Sequence, residues 1–240
     1  MNHQSVLITG GSQGIGLACA QKLYEQGYAV SLLSRSREKL DQAADCIAGG
    51  SRERLFTVSC DITRKESVQA AVREAATHWG RIDVLIHSAG CSMHAPCPLK
   101  NVSQEEYIRI LRTNTDGLFW ASQAVLPYME EQGGGYILNI LSTASHEAGA
   151  GNAPYSASKF AAKALTDTLI QEYRNTNIRI SSISPGPVST TIWSHKTTPP
   201  GEEQMERMLK PQDIADIVSF LISTPPNVHI RDLVVTPWMY

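Results

Sequence analysis

The apolar positions of this chain follow two patterns that alternate from end to end. Short runs rich in aliphatic and β-branched residues stand at 5–9 (SVLIT), 28–33 (YAVSLL), 54–58 (RLFTV), 82–87 (IDVLIH), 136–141 (YILNIL), 178–183 (IRISSI) and 232–236 (DLVVT). Most lack the in-and-out alternation of a strand with one wet face, so they read as strands covered on both sides. Between them, segments at roughly 14–26, 37–48, 64–79, 103–131, 153–175 and 211–223 carry amphipathic helical spacing. Gly27, Gly49, Gly80 and Gly133 follow where a helix would stop. Strand, helix, strand repetition requires right-handed crossovers and a parallel sheet. The expected architecture is α/β: a doubly wound parallel sheet of about seven strands with helices on both faces, in a single domain over 1–240. Such a sheet binds its ligand at the carboxyl ends of its strands.

Size and charge narrow the partners. A chain of 240 residues, 42% hydrophobic and 18% charged, is long enough for one well-buried core. Its net charge of -2 and pI near 6.4 leave no electrostatic footprint for nucleic acid. The opening residues MNHQSVLITG lack a basic region followed by a long apolar segment, and no run of 18 apolar residues occurs. No membrane association is expected. Cys19, Cys46, Cys60, Cys91 and Cys97 form an odd set without a CxxC pair, which fits reduced thiols and a cytoplasmic location. Cys91 and Cys97 with His87 and His94 lack metal-ligand spacing, so no metal is expected.

Four glycines fill positions 10, 11, 14 and 16, directly behind the first strand and at the mouth of the first helix. Unpaired backbone N–H groups and the positive end of the helix dipole favour an anion there, and glycine lets a pyrophosphate approach the backbone. A phosphate-binding loop of the NTPase type is excluded, because Leu17 and Ala18 stand where Lys and Ser or Thr must follow. By themselves the glycines also suit a tight turn, the lesser reading; the rest of the chain decides.

TGGSQGIG (Thr9 to Gly16) resembles the TGxxxGxG turn of the short-chain dehydrogenase/reductase family. Further along, CDIT supplies Asp61, HSAG supplies Ala89 and Gly90, and RTNTDG supplies Asn114. NILSTAS supplies Ser142, YSASK supplies Tyr155 and Lys159, and SPGPVST supplies Pro185, Gly186 and Thr190. The resemblance covers nearly the whole chain and implies a Rossmann-type oxidoreductase of the carbonyl-reductase kind. It assigns catalysis to Asn114, Ser142, Tyr155 and Lys159. It also implies a nicotinamide cofactor held by Gly10, Ser12, Gly14, Ile15, Gly16, Ser34, Arg35, Asp61, Ile62, Ala89 and Gly90, then by Asn114, Tyr155, Lys159, Pro185, Gly186, Val188 and Thr190. In these roles Tyr155 protonates the carbonyl oxygen as hydride arrives, while Lys159 lowers its pKa and holds the nicotinamide ribose. Ser142 bonds the same oxygen, and Asn114 holds a water that links Lys159 to solvent.

Elementary chemistry agrees with that assignment. Tyr155 and Lys159, four apart on a predicted helix, project from one face. A phenol needs a downward shift of roughly three units, about 4 kcal/mol, to act near neutrality, and one ammonium about 4 Å away supplies that much at an effective dielectric of 20. Cofactor choice is expected at the end of the second strand, where LLSRSREKL places Ser34 and Arg35 with Arg37 close by. This resembles the NADP-preferring members, since a guanidinium pairs with a 2′-phosphate; NAD, with Glu38 on its ribose, is the lesser alternative.

One departure is His87-Ser88, where the family has Asn-Asn, with a changed hold on the adenosine half as its implied consequence. His87 is expected to be a hydrogen-bonded strand-end residue. A substrate lid is expected at about 187–210, with Trp193, Met205 and Met208 either lining it or simply packing. No Arg or Lys near Ser142 offers a clamp for a carboxylate, so an uncharged ketone or aldehyde is the expected substrate. The ending VHIRDLVVTPWMY departs from that of the ketoacyl reductases. A 3-ketoacyl-thioester reductase and a non-catalytic dinucleotide-binding regulator are the alternatives. Leu118, Phe119 and Trp120 together offer more apolar surface than an outer helix needs, so a homodimer or homotetramer is expected.

Overall fold

A computed structural model of the chain describes residues 4–49 and 51–238. Expectations resting on residues 1–3, 50 and 239–240 lie outside these. The strands are β1 (Ser5–Thr9), β2 (Ala29–Ser34), β3 (Leu55–Ser59), β4 (Val84–His87), β5 (Gly135–Ile140), β6 (Ile178–Pro185) and β7 (Asp232–Val235). They form one sheet in the order β3-β2-β1-β4-β5-β6-β7, and each neighbouring pair is parallel. The direction of winding reverses between β1 and β4, which opens a crevice at their carboxyl ends.

The continuous apolar runs are explained by two separate cores, because successive side chains of a strand point to opposite faces. Val6, Ile8, Val30, Leu32, Val84, Ile86 and Leu138 face a core shared with helices α1 (Gly14–Glu25), α2 (Arg37–Ala48) and α8 (Pro211–Ser223). Leu7, Leu33, Leu85, Ile137 and Ile180 face the other core. That one is closed by α3 (Lys65–Trp79), α5 (Gly117–Glu131) and α6 (Ala153–Glu172). The register therefore also decides where polar residues go: Thr9, His87, Asn139 and Ser182 lie on the second face, at the sheet's carboxyl end.

The helix expected over 103–131 is continuous in direction but not in hydrogen bonding. It consists of α4 (Gln104–Leu111), one π-helical turn at Arg112–Asp116, and α5. A π-turn inserts one residue without leaving the helix axis, so the two α-helical parts read as one helix. Helix α6 stops at Glu172 rather than 175, and Asn175 then takes a left-handed φ of 92°. Leu118 is buried against Leu141 and Ala162, and Trp120 packs on the second core. Of the three apolar residues expected outside, only Phe119 is exposed. The 187–210 segment carries a short 3-10 turn (Thr191–His195) and α7 (Glu202–Glu206), while Met208 is buried and serves as packing. No helix of the described residues is long and apolar enough to cross a membrane.

Candidate active site

The glycine turn is bent so tightly that a Cβ on Gly16 would lie 2.4 Å from the carbonyl oxygen of Gly10. Glycine is required there, and the chain then enters α1 with no side chain capping its first amides. Those amides and the helix dipole make an uncapped anion site. Neighbouring loops close on it. Ser88 N donates to the Thr9 carbonyl at 3.2 Å, Ala89 N donates to Thr9 Oγ1 at 3.2 Å, and Thr190 stands beside Gly14. Ser12 Oγ donates to Ser34 Oγ at 2.8 Å, tying the turn to the end of β2. A pyrophosphate group fits this cradle of bare amides and missing Cβ atoms.

Towards β2 the site opens to solvent. Arg35 is exposed, and its guanidinium makes no hydrogen bond or ion pair among the described residues. Arg37 does not join it, for its Nη1 donates to the Thr57 carbonyl at 3.1 Å and its Nε lies 3.8 Å from Asp41. Glu38 accepts from Gln42, one turn on. Asp61 has Oδ1 engaged by Thr63 N and Thr63 Oγ1 at 3.0 and 2.8 Å. Ile62 and Val188 have buried side chains and Ile15 packs on the first core, so these three can offer a ligand mainly backbone. Gly186 N donates to the Val235 carbonyl at 2.7 Å, which docks the Pro185–Gly186 corner on β7.

Beyond β4 and β5 the site is dry and crowded. Asn114, on the π-turn, is buried; its Oδ1 accepts from Cys91 N at 2.8 Å, and its Nδ2 donates to Cys91 O and Ser158 Oγ, both at 2.9 Å. Ser158 Oγ in turn donates to the Tyr155 carbonyl at 2.7 Å. Asn114 thus ties the loop after β4 to α6. A Cβ on Gly90 would lie 3.4 Å from Asn114 Oδ1 and 3.9 Å from Lys159 Nζ, so bare backbone separates those two side chains. Ser142, the last residue before a 3-10 turn, accepts from Ala144 N at 3.1 Å and lies near enough to the Tyr155 phenol to favour its ionised form. Lys159 Nζ donates to the Ile140 carbonyl at 3.3 Å and stands 5.9 Å from the centre of the Tyr155 ring.

These positions correct one expectation. Burial raises the Tyr155 phenol above its ordinary value, and the opposing influence is the neighbouring Ser142 hydroxyl rather than the ammonium of Lys159. Lys159 itself is pushed down to about 8 by burial. Its ammonium is turned to the Ile140 carbonyl, a partner that helical spacing alone does not suggest.

His87 is a buried strand-end residue, as expected, with Nδ1 3.0 Å from Thr9 Oγ1. Its Nε2 has no hydrogen-bond partner, and burial, then the charge of Lys159, pushes its pKa down to about 3. It is a neutral imidazole. Asn139, its register partner on β5, has an unpartnered Oδ1 while Nδ2 donates to Thr166. Sequence reasoning missed Ser158, Asn139 and His146. Ser158 alone carried a signal, as the small residue between Tyr155 and Lys159.

Among the described residues no group of three or more His, Cys, Asp or Glu side chains can hold a metal ion.

A doubly wound sheet whose crevice holds an uncapped, glycine-lined helix mouth defines the class of dinucleotide-binding Rossmann proteins. Within that class the chain belongs to the short-chain dehydrogenase family, whose profile matches residues 4–200. It is 32% identical over 237 residues to an uncharacterised oxidoreductase of Staphylococcus epidermidis, covering 99% of this chain and 98% of that one. It superposes with a TM-score of 0.87 and 27% identity on an alcohol dehydrogenase of Thermococcus sibiricus complexed with 5-hydroxy-NADP, covering 98% of this chain and 97% of that one. A 3-ketoacyl-(acyl-carrier-protein) reductase of Brucella melitensis complexed with NADH gives a TM-score of 0.88 and 26% identity, with 98% and 97% covered. The protein is therefore an oxidoreductase of this family, with a site suited to a nicotinamide dinucleotide.

Proposed function

We propose that the protein reduces an uncharged ketone or aldehyde, or oxidises the corresponding alcohol, with NADP(H) as the preferred cofactor. The observation that carries this reading is the meeting of Ser142, at the end of β5, with Tyr155 and the buried Lys159 of α6, beside the Gly90 backbone. A nicotinamide dinucleotide, when bound, exchanges the hydride. Tyr155 gives its phenolic proton to the carbonyl oxygen, and Ser142 donates a hydrogen bond to the same oxygen. The raised pKa of the phenol keeps that proton in place at neutral pH, which suits the reducing direction. Lys159, near 8, is charged at neutral pH yet able to resupply a proton, and Asn114 holds the loop after β4 against α6.

An uncharged substrate is supported by how nearby cations are engaged. Lys163 is paired with Asp167, and Arg109 with Glu106 and the Ser92 carbonyl. NADP is supported by the unengaged Arg35 beside Ser34, where no acidic side chain stands. Exposed Phe119 on α5 and Phe160 on α6 support a homodimer or homotetramer. Five free cysteines, with burial raising the thiols of Cys19 and Cys60 to about 12 and about 11, support a reducing, cytoplasmic setting.

A panel of ketones, aldehydes and an acyl-carrier thioester, followed by the loss of NADPH absorbance, tests the reading. Turnover of simple carbonyls above the thioester is the expected outcome. Preference for the thioester makes the protein a ketoacyl reductase, and tight NADPH binding without turnover of any carbonyl makes it a regulator.

A further inference from the structure

We propose that the Asp232–His146 pair is a positioning device for Ser142: it fastens the loop that carries this serine to the edge of the sheet and to α6. The inference rests on the reading of Ser142 as the residue that binds the carbonyl oxygen.

Ser142 has little local support. It leaves β5 into a 3-10 turn, Thr143–Ser145, and residues 147–151 beyond it (EAGAG) are exposed or half-buried and belong to no helix or strand. Beyond the backbone bonds of the turn, such a segment depends on side-chain attachments. Ala144 N donates to Ser142 Oγ at 3.1 Å, and Ser145 Oγ stands 3.4 Å from Ser184 Oγ on β6. Two closer attachments add to these. Ser145 Oγ donates to the Ser142 carbonyl at 2.5 Å, which holds the turn to itself. His146 Nε2 lies 3.1 Å from Asp232 Oδ2 and 3.1 Å from Ser184 Oγ, which holds the turn to β6 and β7.

Asp232 is oriented before His146 reaches it. Its Oδ1 accepts from Ser182 Oγ at 2.7 Å and Ser184 Oγ at 3.3 Å. Its Oδ2 stands 3.8 Å from Lys163 Nζ, which Asp167 holds in place at 2.7 Å. A carboxylate only accepts, so the proton between it and His146 sits on Nε2. The side chains of His146 and Asp232 are 35% and 22% exposed, a pair partly open to solvent at the His146 end.

The geometry gives the pair a reference point as well as an anchor. Lys163 lies four residues beyond Lys159 and eight beyond Tyr155, on one face of α6. Asp232 therefore touches, through Lys163, the helix that carries the proton donor, and, through His146, the loop that carries its hydroxyl partner. The Ser142-to-Tyr155 spacing is held from both ends. Neither His146 nor Asp232 touches the phenol; both act through Ser142.

The test uses the full chain loaded with NADPH and an activated ketone probe, 2,2,2-trifluoroacetophenone. His146→Ala is expected to lower kcat about tenfold and leave the NADPH Kd within about twofold, the size of one lost charge-assisted contact. His146→Gln, whose amide N–H reaches the same acceptor, is expected to recover most of the loss. Asp232→Asn is expected to lower kcat similarly and to be non-additive with His146→Ala. In a Ser142→Ala background, His146→Ala is expected to change nothing further. Hydrogen exchange across 142–152, which needs no substrate, is expected to rise in His146→Ala and Asp232→Asn. Unchanged exchange there, a kcat equal to wild type in His146→Ala, or an equal loss in the Ser142→Ala background overturns the inference. Should His146→Ala fail to fold, Ser184→Ala, which removes only the hydroxyl, carries the same exchange test. Full activity in Tyr155→Phe and Ser142→Ala defeats the underlying reading instead; collapse in both, beside a wild-type His146→Ala, defeats this inference alone.

Discussion

The two ends of the crevice are built to different standards. Around Ser142 and Tyr155, themselves half-buried, the buried Asn114 and Lys159 are committed: three hydrogen bonds hold Asn114, and Lys159 reaches the backbone of β5. Around Ser34 and Arg35 the side chains stand half-buried or in water, with one bond, from Ser12, to fix them. A group locked in a dry pocket governs rate, because its geometry and proton affinity are set before any ligand arrives. An exposed guanidinium governs choice, because what it gains depends on whether the ligand carries a phosphate.

The hardest way to break the contrast is at the dry end. Tyr155→Phe removes the proton but keeps the ring's packing, so turnover is expected to fall at least about a hundredfold while NADPH still binds. Steady-state kinetics beside a binding titration checks it; near-normal turnover would falsify the assignment. At the wet end, Arg35→Ala is expected to weaken NADPH by about ten- to a hundredfold and to leave NADH alone. Adding Ser34→Asp supplies an acceptor for a ribose hydroxyl and a charge against the phosphate, which reverses the preference. The ratio of kcat/KM for the two cofactors decides; equal loss for both reduces Arg35 to a solvated helix-start residue.

His87 sharpens the contrast through pH. Its folded pKa of about 3 lies below the ordinary 6.5, so the unfolded chain takes up the extra proton. The stability at stake is whole above about 6.5 and is lost as pH falls towards about 3, with about 2 kcal/mol gone between about pH 7 and about pH 5. Urea unfolding of wild type against His87→Asn measures this; the variant should show the shallower slope, and equal slopes sink the account. The smallest effect is expected at Arg37. Because its guanidinium faces Thr57, Arg37→Ala should change the NADPH Kd by less than about threefold in the titration used for Arg35.

Much of this was legible in the residues, and what was not has physical causes. Strand positions and helix stops read well because burial on both faces and left-handed glycines leave direct marks at Gly27, Gly49, Gly80 and Gly133. The glycine turn and the positions of Ser142, Tyr155 and Lys159 were legible for a similar reason: spacing carries them. The π-turn at Asn114 was hidden because its one extra residue shifts the apolar stripe by a single position while the helix axis runs on, a change that helical spacing tolerates. Lys159's bond to the Ile140 carbonyl was hidden because a long side chain chooses among rotamers, and local spacing does not reveal which. His146 and Asp232 lie 86 residues apart and meet only through the last strand pairing, which has no local signature.

The interior place of β1 has a consequence for biosynthesis. The first strand made is paired on both edges: to β2, and then to β4 in the register Val6 to Val84. Its second edge stays open until the ribosome has added the residues through His87, a wait of about 4–16 s at about 5–20 residues per second. During that interval SVLIT is an aliphatic strand with unsatisfied amides, the kind of segment that seeks another chain. Nascent-chain yield should therefore depend on translation speed between residues 10 and 87 more than on speed anywhere later in the chain.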